Sequence, residues 1–199
     1  MVFHIKKHYQ EVLIVKESFK LVYQLKITLK GTKPPVWRRI QIPETYTLWD
    51  LHVAIQDAMG WKNSHMHKFQ VVNPFGRDRI TIEAPEQGQR VSSWLNLENS
   101  HLDYIYDFGE CWDHDIEIER VFPKDEGVGY PICTEGEQNC PPEDCGGIGG
   151  YEELLEILQD PSHRDYEEKW KWVEEGFDPE HFDPGEVVFR GSDNQMDTV

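Results

Sequence analysis

Leu21-Val22-Tyr23-Gln24-Leu25-Lys26-Ile27-Thr28-Leu29-Lys30 is the stretch from which the fold is read. Leu21, Tyr23, Leu25, Ile27 and Leu29 alternate with Val22, Gln24, Lys26, Thr28 and Lys30, the period of two expected of a half-buried strand. Gly31-Thr32-Lys33-Pro34-Pro35 turns the chain, and a second strand follows over residues 36–42, with Val36, Ile40 and Ile42 on one face and Trp37, Arg39 and Gln41 on the other. These two strands make a hairpin. Thr47 stands as an N-cap with Asp50 at capping-box spacing. Leu48, Leu51, Ala54, Ile55, Ala58 and Met59 then give a helical stripe that Gly60 closes. A further strand over residues 68–72 completes the order strand, strand, helix, strand. That order predicts an α+β fold on a mixed β-sheet whose N-terminal half is β-grasp-like.

Working outward, residues 1–20 show no clear period and are read as an N-terminal extension able to add a strand. Downstream, strands are predicted over residues 79–82, 102–107 and 115–122, the last two an antiparallel pair around the turn from Asp107 to His114. Residues 123–150 are polar and rich in Pro and Gly, which predicts an ordered loop fixed by something other than a core of its own. Two C-terminal helices follow: Tyr151, Leu154, Leu155 and Leu158 form one stripe, and Tyr166, Trp170 and Val173 another. Asp160-Pro161 separates them, with Pro161 read as the first position of the second helix. Residues 21–190 are expected to form a single domain and residues 191–199 a flexible tail.

With 199 residues the chain can bury one well-packed core without staples. A mean hydropathy of −0.65 and 29% charged residues describe a heavily solvated exterior, so a soluble protein is expected. The formal net charge of −17 argues against a general nucleic-acid binder, because phosphate contact relies on clustered Lys and Arg. Lys26, Lys30, Lys33, Arg38 and Arg39 are the local exception, read as charges on the open face of the hairpin. An acidic surface suits basic protein partners, divalent cations or mere solubility. No stretch approaches the roughly 20 apolar residues of a membrane span. The apolar run at residues 12–15 is closed by Lys16, so no signal peptide is read. The expected location is the cytoplasm, where thiols stay reduced and metal ligation or free cysteines are favoured over disulfides.

All four cysteines lie between Asp103 and Tyr151. Cys133, Cys140 and Cys145 with His114 or Cys111 would offer the four tetrahedral ligands of a structural zinc, which pins a loop lacking apolar content. Their spacing is not the paired C-x-x-C of strong zinc motifs, and the ordinary reading is that of small buried packing residues or one adventitious disulfide. A redox thiol needs an activating Lys or Arg, and none lies in the cysteine and glycine segment from Cys133 to Gly150. His65 and His67, two apart on a strand, would share a side and, with Asp107, Glu110, Asp113 or His114, hold a catalytic metal. Structural, hydrogen-bonded histidines are the plainer alternative. Gly146-Gly147-Ile148-Gly149-Gly150 before a helix would present N–H groups to an anion. It lacks the Gly-Lys-Ser/Thr ending of a phosphate loop and is flanked by Glu143, Asp144, Glu152 and Glu153, so a tight turn is expected.

Several motifs together carry a resemblance: Val36-Trp37-Arg38-Arg39, Gly60-Trp61, Ser64-His65-Met66-His67-Lys68-Phe69, Tyr106-Asp107-Phe108-Gly109, Trp112-Asp113-His114, Cys140-Pro141-Pro142-Glu143-Asp144-Cys145-Gly146-Gly147, Gly150-Tyr151 and Phe177-Asp178-Pro179. The chain from Leu21 to Arg190 resembles the plasmid pRiA4b ORF-3-like family, some of whose members are labelled insertion-element passenger proteins. The resemblance implies a compact α+β domain and brings no established biochemical activity. Cys111 stands where relatives usually carry an acidic or small polar residue, which speaks against a family-wide ligand role for it.

Two function classes follow. The first is a non-enzymatic interaction domain whose cysteine loop, pinned by zinc on Cys133, Cys140, Cys145 and His114, presents a surface to another protein. The second is a metal-dependent hydrolase centred on His65, His67 and His114. A structural site is closed by four protein ligands, whereas a catalytic one keeps an open position in a pocket. A third reading, an accessory protein of a mobile genetic element, rests on the labels of relatives.

Overall fold

Among the described residues seven strands pair into one sheet, and two of the helices contribute side chains to its core. The structure is a computed structural model that describes residues 18–72, 78–82, 86–173 and 177–191. The strand expected within the N-terminal extension and the tail after Gly191 lie outside the described residues. In chain order the elements are β1 (Leu21–Leu29), β2 (Val36–Pro43), α1 (Leu48–Met59), β3 (His67–Val72), β4 (Arg79–Ile82), β5 (His101–Tyr106), β6 (Trp112–Pro123), β7 (Ile132–Glu137), α2 (Gly147–Gln159) and α3 (Tyr166–Trp172). Across the sheet the order is β4-β3-β5-β6-β1-β2-β7.

Every pairing is antiparallel, which corrects the mixed sheet expected from the element order. α1 carries the chain from β2 across to β3, and the β5–β6 hairpin then fills the space between β3 and β1. No parallel neighbours arise among the described residues, because β3 does not meet β1. Leu25, Ile27, Leu29, Val36, Ile40, Ile42, Phe69, Tyr104, Trp112 and Ile116 share one core with Leu48, Leu51, Ala54, Ile55 and Ala58 of α1. Burying side chains of this size contributes about 1.5–3 kcal/mol each. The N-terminus of α1 is capped as expected: Thr47 Oγ1 accepts from Asp50 N at 3.1 Å, and Asp50 Oδ2 accepts from Thr47 N at 2.8 Å. At the start of β1 the alternation slips, since the register against β6 shifts between Gln24 and Leu25. Val22 is therefore buried while Leu21 is exposed.

The segment between β6 and α2 is fixed by pairing and by side chains from outside it. β7, a strand the periodicity did not reveal, pairs with β2, and Gly136 sits opposite Arg38. A Cβ at Gly136 would lie 2.4 Å from the Phe182 ring and 2.7 Å from Trp37 O, so the strand requires glycine there. Arg38 falls on the buried phase of β2. Its Nε donates to Ala58 O (3.0 Å), and its Nη1 donates to Trp37 O (2.8 Å) and Glu137 O (3.0 Å), under the Phe182 ring at 3.8 Å. Burial lowers its pKa, and three carbonyl acceptors offset part of that desolvation.

The glycine run resolves as a close-packed turn. Gly146 N, at the N-cap of α2, donates to Glu110 Oε1 at 2.6 Å, so the chain supplies its own anion to the helix dipole. A Cβ at Gly147 would lie 2.7 Å from Glu110 O. α3 begins at Tyr166 and not at Pro161. Asp160 Oδ1 accepts from Ser162 N at 2.9 Å, an Asx turn that delays the second helix. The C-terminal segment returns to α1, where Arg190 N and Nε donate to the Asp57 carboxylate at 2.8 and 2.7 Å.

Candidate functional site

A cleft of about 590 Å³ opens where the loop after α1, residues 139–144 and the end of α3 meet, with walls from Trp61, Pro141, Pro142, Glu143, Trp172 and Phe177. Its floor is rigid. Trp61 is buried, stacks on Tyr106 at 5.0 Å and donates Nε1 to Pro141 O at 3.0 Å. Tyr106 OH donates to Glu143 Oε1 at 2.5 Å and accepts from Ser64 N at 3.0 Å. Burial and the Glu143 carboxylate raise the Tyr106 pKa, so the phenol stays a donor. Trp172 is exposed at the rim.

Beside the cleft, three segments bring His65, Asp107 and Asp144 together, each offering a ligand atom within 4.8 Å of the others. His65 lies in the turn before β3, Asp107 follows β5, and Asp144 ends the Pro-Pro-Glu-Asp run while also lining the cleft. His65 Nδ1 is 3.7 Å from Asp107 Oδ2, and Nε2 is 3.4 Å from Asp144 Oδ1. Asp107 Oδ1 accepts from Gly109 N at 2.8 Å, which orients its carboxylate. Asp107 and Asp144 both adopt positive φ, 53° and 60°, a region that aspartate tolerates better than most residues.

Deeper in the core is a second polar group. Gln56 Nε2 donates to Tyr104 OH (3.0 Å), and His52 Nδ1 lies 2.8 Å from that hydroxyl. His52 Nε2 is 2.7 Å from Asn63 Oδ1, and Asn63 N donates to Gln56 Oε1 at 3.0 Å. These partners assign the tautomer: Nε2 carries the proton, and Nδ1 accepts from Tyr104. His67 stacks on His52 with centroids 3.5 Å apart and pairs through Nε2 with Glu86 at 2.8 Å. Burial, reinforced by His67, lowers His52 to about 3.

The residues singled out in the sequence are placed as follows. Cys133 lies in β7 opposite Ile40, Cys140 is buried, Cys145 directs Sγ toward Gly147 O at 3.9 Å, and Cys111 is exposed. His114 is buried in β6 with Nδ1 donating to Trp112 O (3.0 Å) and Tyr104 O (3.3 Å). Among the described residues, the group of three with atoms this close is the His65 set, and Cys133, Cys140, Cys145 and His114 do not assemble into one. Nor do His65, His67 and His114 converge: β3 begins only at His67, so strand geometry does not govern His65. Of the companions proposed for His65, Asp107 meets it. Asp144 was missed as its partner, although it sits in the most specific motif. The activating arginine absent from the cysteine segment arrives from β2 as Arg38, facing Cys140 and Cys133. Desolvation nevertheless prevails over that charge at Cys140, whose thiol is pushed up to about 12, and burial with the Glu110 carboxylate pushes Cys145 up to about 12 as well.

The basic cluster of the hairpin disperses. Arg38 is interior, Arg39 pairs with Glu119 at 2.6 Å and with Glu135, and Lys30 reaches Asp103 (2.5 Å) and Asp113 (3.0 Å). No helix among the described residues is long and apolar enough to cross a membrane.

These features define an α+β domain with an aromatic cleft, and the motif residues Trp61, His65, Tyr106, Asp107, Glu143 and Asp144 all meet beside it. The chain belongs to the plasmid pRiA4b ORF-3-like protein family, which matches residues 21–186. It is similar to the uncharacterized protein y4hQ of Sinorhizobium fredii, with 40% identity over 156 residues that cover 76% of this chain and 80% of the relative. Among solved structures it is similar to the crystal structure of the protein of unknown function MM3350 from Methanosarcina mazei Go1. That match has 46% identity and a TM-score of 0.82, and covers 86% of this chain and 100% of the other.

Proposed function

We propose that the chain is a non-enzymatic interaction domain of the cytoplasm that takes an extended basic segment of a partner protein in the cleft beside Trp172. The composition of the cleft carries this reading: walls of Trp61, Pro141, Pro142, Trp172 and Phe177, with Glu143 and Asp144 among its lining, in a chain of net charge −17. Rigid aromatic and proline surfaces give contact area at low cost in side-chain entropy, and carboxylates at a rim favour a cationic partner. Titration adds support. Burial lowers His52 to about 3 and His114 to about 4, which makes both weak bases, and raises the Cys140 and Cys145 thiols to about 12, which keeps them from the reactive thiolate form at pH 7. Zinc on Cys133, Cys140, Cys145 and His114 is not required by this reading, because β7 pairing, Arg38 and the Trp61–Pro141 bond already anchor that segment. An accessory role in a mobile genetic element draws on the family's name, and the dispersed charges of the hairpin do not favour it.

The test is selection of a displayed peptide library on the purified chain, followed by fluorescence polarisation of the winners. Cationic peptides bearing an aromatic or proline should be enriched, and Trp172→Ala or Phe177→Ala should weaken them about tenfold, the size of a modest interface anchor. Failure to enrich such peptides, or equal affinity for both variants, would refute the proposal.

A further inference from the structure

We infer that His65, Asp107 and Asp144 form a binding site for one divalent transition-metal ion of the zinc or manganese class. The inference stands apart from the peptide reading. Three donor atoms from three separate segments lie within 4.8 Å of one another. Donors sharing an ion through bonds of about 2.0–2.2 Å sit roughly 3–4 Å apart; the two His65 nitrogens approach different carboxylates, Nδ1 at 3.7 Å from Asp107 and Nε2 at 3.4 Å from Asp144, so on binding the ring would turn to present one of them to both, within the 4.8 Å that already encloses one donor atom from each residue. Neither approach is a hydrogen bond. The Nε2 atom of His65 is shielded from solvent and has no hydrogen-bond partner, and Glu110 Oε2, on the neighbouring turn, is in the same condition. Asp107 is itself buried, so its charge lies where water compensates it poorly.

The donor set defines the class of ion. One imidazole with two carboxylates suits borderline divalent metals, whereas calcium takes six to eight oxygens and soft ions prefer sulfur. Three protein donors leave coordination positions for water or a ligand group. Because Asp144 lines the cleft while Asp107 belongs to the β5–β6 turn, the ion would fasten one wall of the cleft to the sheet. The competing arrangement is an imidazolium held between two carboxylates, which binds no metal.

Chelator-treated full-length chain should be titrated calorimetrically with Zn²⁺ and Mn²⁺, with Mn²⁺ located by paramagnetic broadening of amide resonances. The expected result is one ion per chain, broadening centred on residues 64–66, 107–109 and 143–145, and at least tenfold weaker binding in both His65→Gln and Asp144→Asn. Circular dichroism checks that the variants fold, and both positions are solvent-accessible. Cys145→Ser should leave the affinity unchanged. No saturable binding, unchanged affinity in the two variants, or loss only in Cys145→Ser would each overturn the inference. Running the peptide assay in chelator keeps its outcome separate.

Discussion

His65 and His67 are two residues apart and end in opposite surroundings. His67 opens β3, stacked on His52 and paired with Glu86, at the edge of a group whose hydrogen bonds run from Gln56 through Tyr104 and His52 to Asn63. His65 sits in the turn before the strand, with one nitrogen shielded and unanswered. The inner group is closed by its own members, which makes it a structural device. The rim group is incomplete, which leaves it chemistry to do. Strand geometry separates the two, for it begins where His67 faces Tyr106.

The comparison can be broken most directly at its inner half. Tyr104→Phe removes the hydroxyl that serves both Gln56 and His52 and leaves two interior polar atoms unpaired, so urea denaturation should show a loss of about 2–4 kcal/mol. A loss no larger than that of a rim substitution would mean the group is not closed as described. Acid should act on the same half. Burial lowers His52 to about 3 and His114 to about 4 in the folded chain, against about 6.5 for a free imidazole, so between these values the unfolded state holds more protons. Stability present above pH 6.5 should fall as pH is lowered toward 4, on the order of 1 kcal/mol per histidine per pH unit. Denaturation curves at pH 7 and pH 5 measure the slope, and a flat profile would contradict the burial of the two rings.

Two smaller effects sharpen the rim. Glu110→Gln removes the charge at the start of α2 while keeping an acceptor for Gly146 N, and should cost about 0.3–1 kcal/mol in a thermal melt. Asp144→Asn, at an exposed carboxylate, should change stability by no more than about 0.5 kcal/mol without metal. A larger loss would show that the rim group contributes to the fold itself.

Much of this was legible in the sequence. The hairpin, α1 with its Thr47 cap, and strands β3 to β6 follow from periodicity and turn residues, because each is a local pattern. β7 was hidden because Ile132-Cys133-Thr134-Glu135-Gly136-Glu137 is an edge strand with little apolar alternation, and its pairing depends on Arg38 and Phe182 from distant parts of the chain. Arg38 itself left a signal, an arginine on the buried phase of β2, that the reading of the hairpin as an open charged face overlooked. The candidate site was half visible: His65 and Asp107 were grouped, but joining them to Asp144 requires the register of β3 on β5 and the path of residues 139–147, neither of which is written in spacing.

β1 lies between β2 and β6, so its two neighbours reach it at different times. β2 follows within one turn, but the other edge is closed only by β6, where Leu21 meets Pro123. While the chain is being synthesised, that edge of the hairpin waits unpaired until β6 has left the ribosome. Open strand edges template association between chains, and pairings far apart in sequence form slowly. The hazard of self-association at this edge therefore falls during the protein's birth and its refolding, when nascent-chain chaperones would matter most, and recedes once β6 has paired with β1.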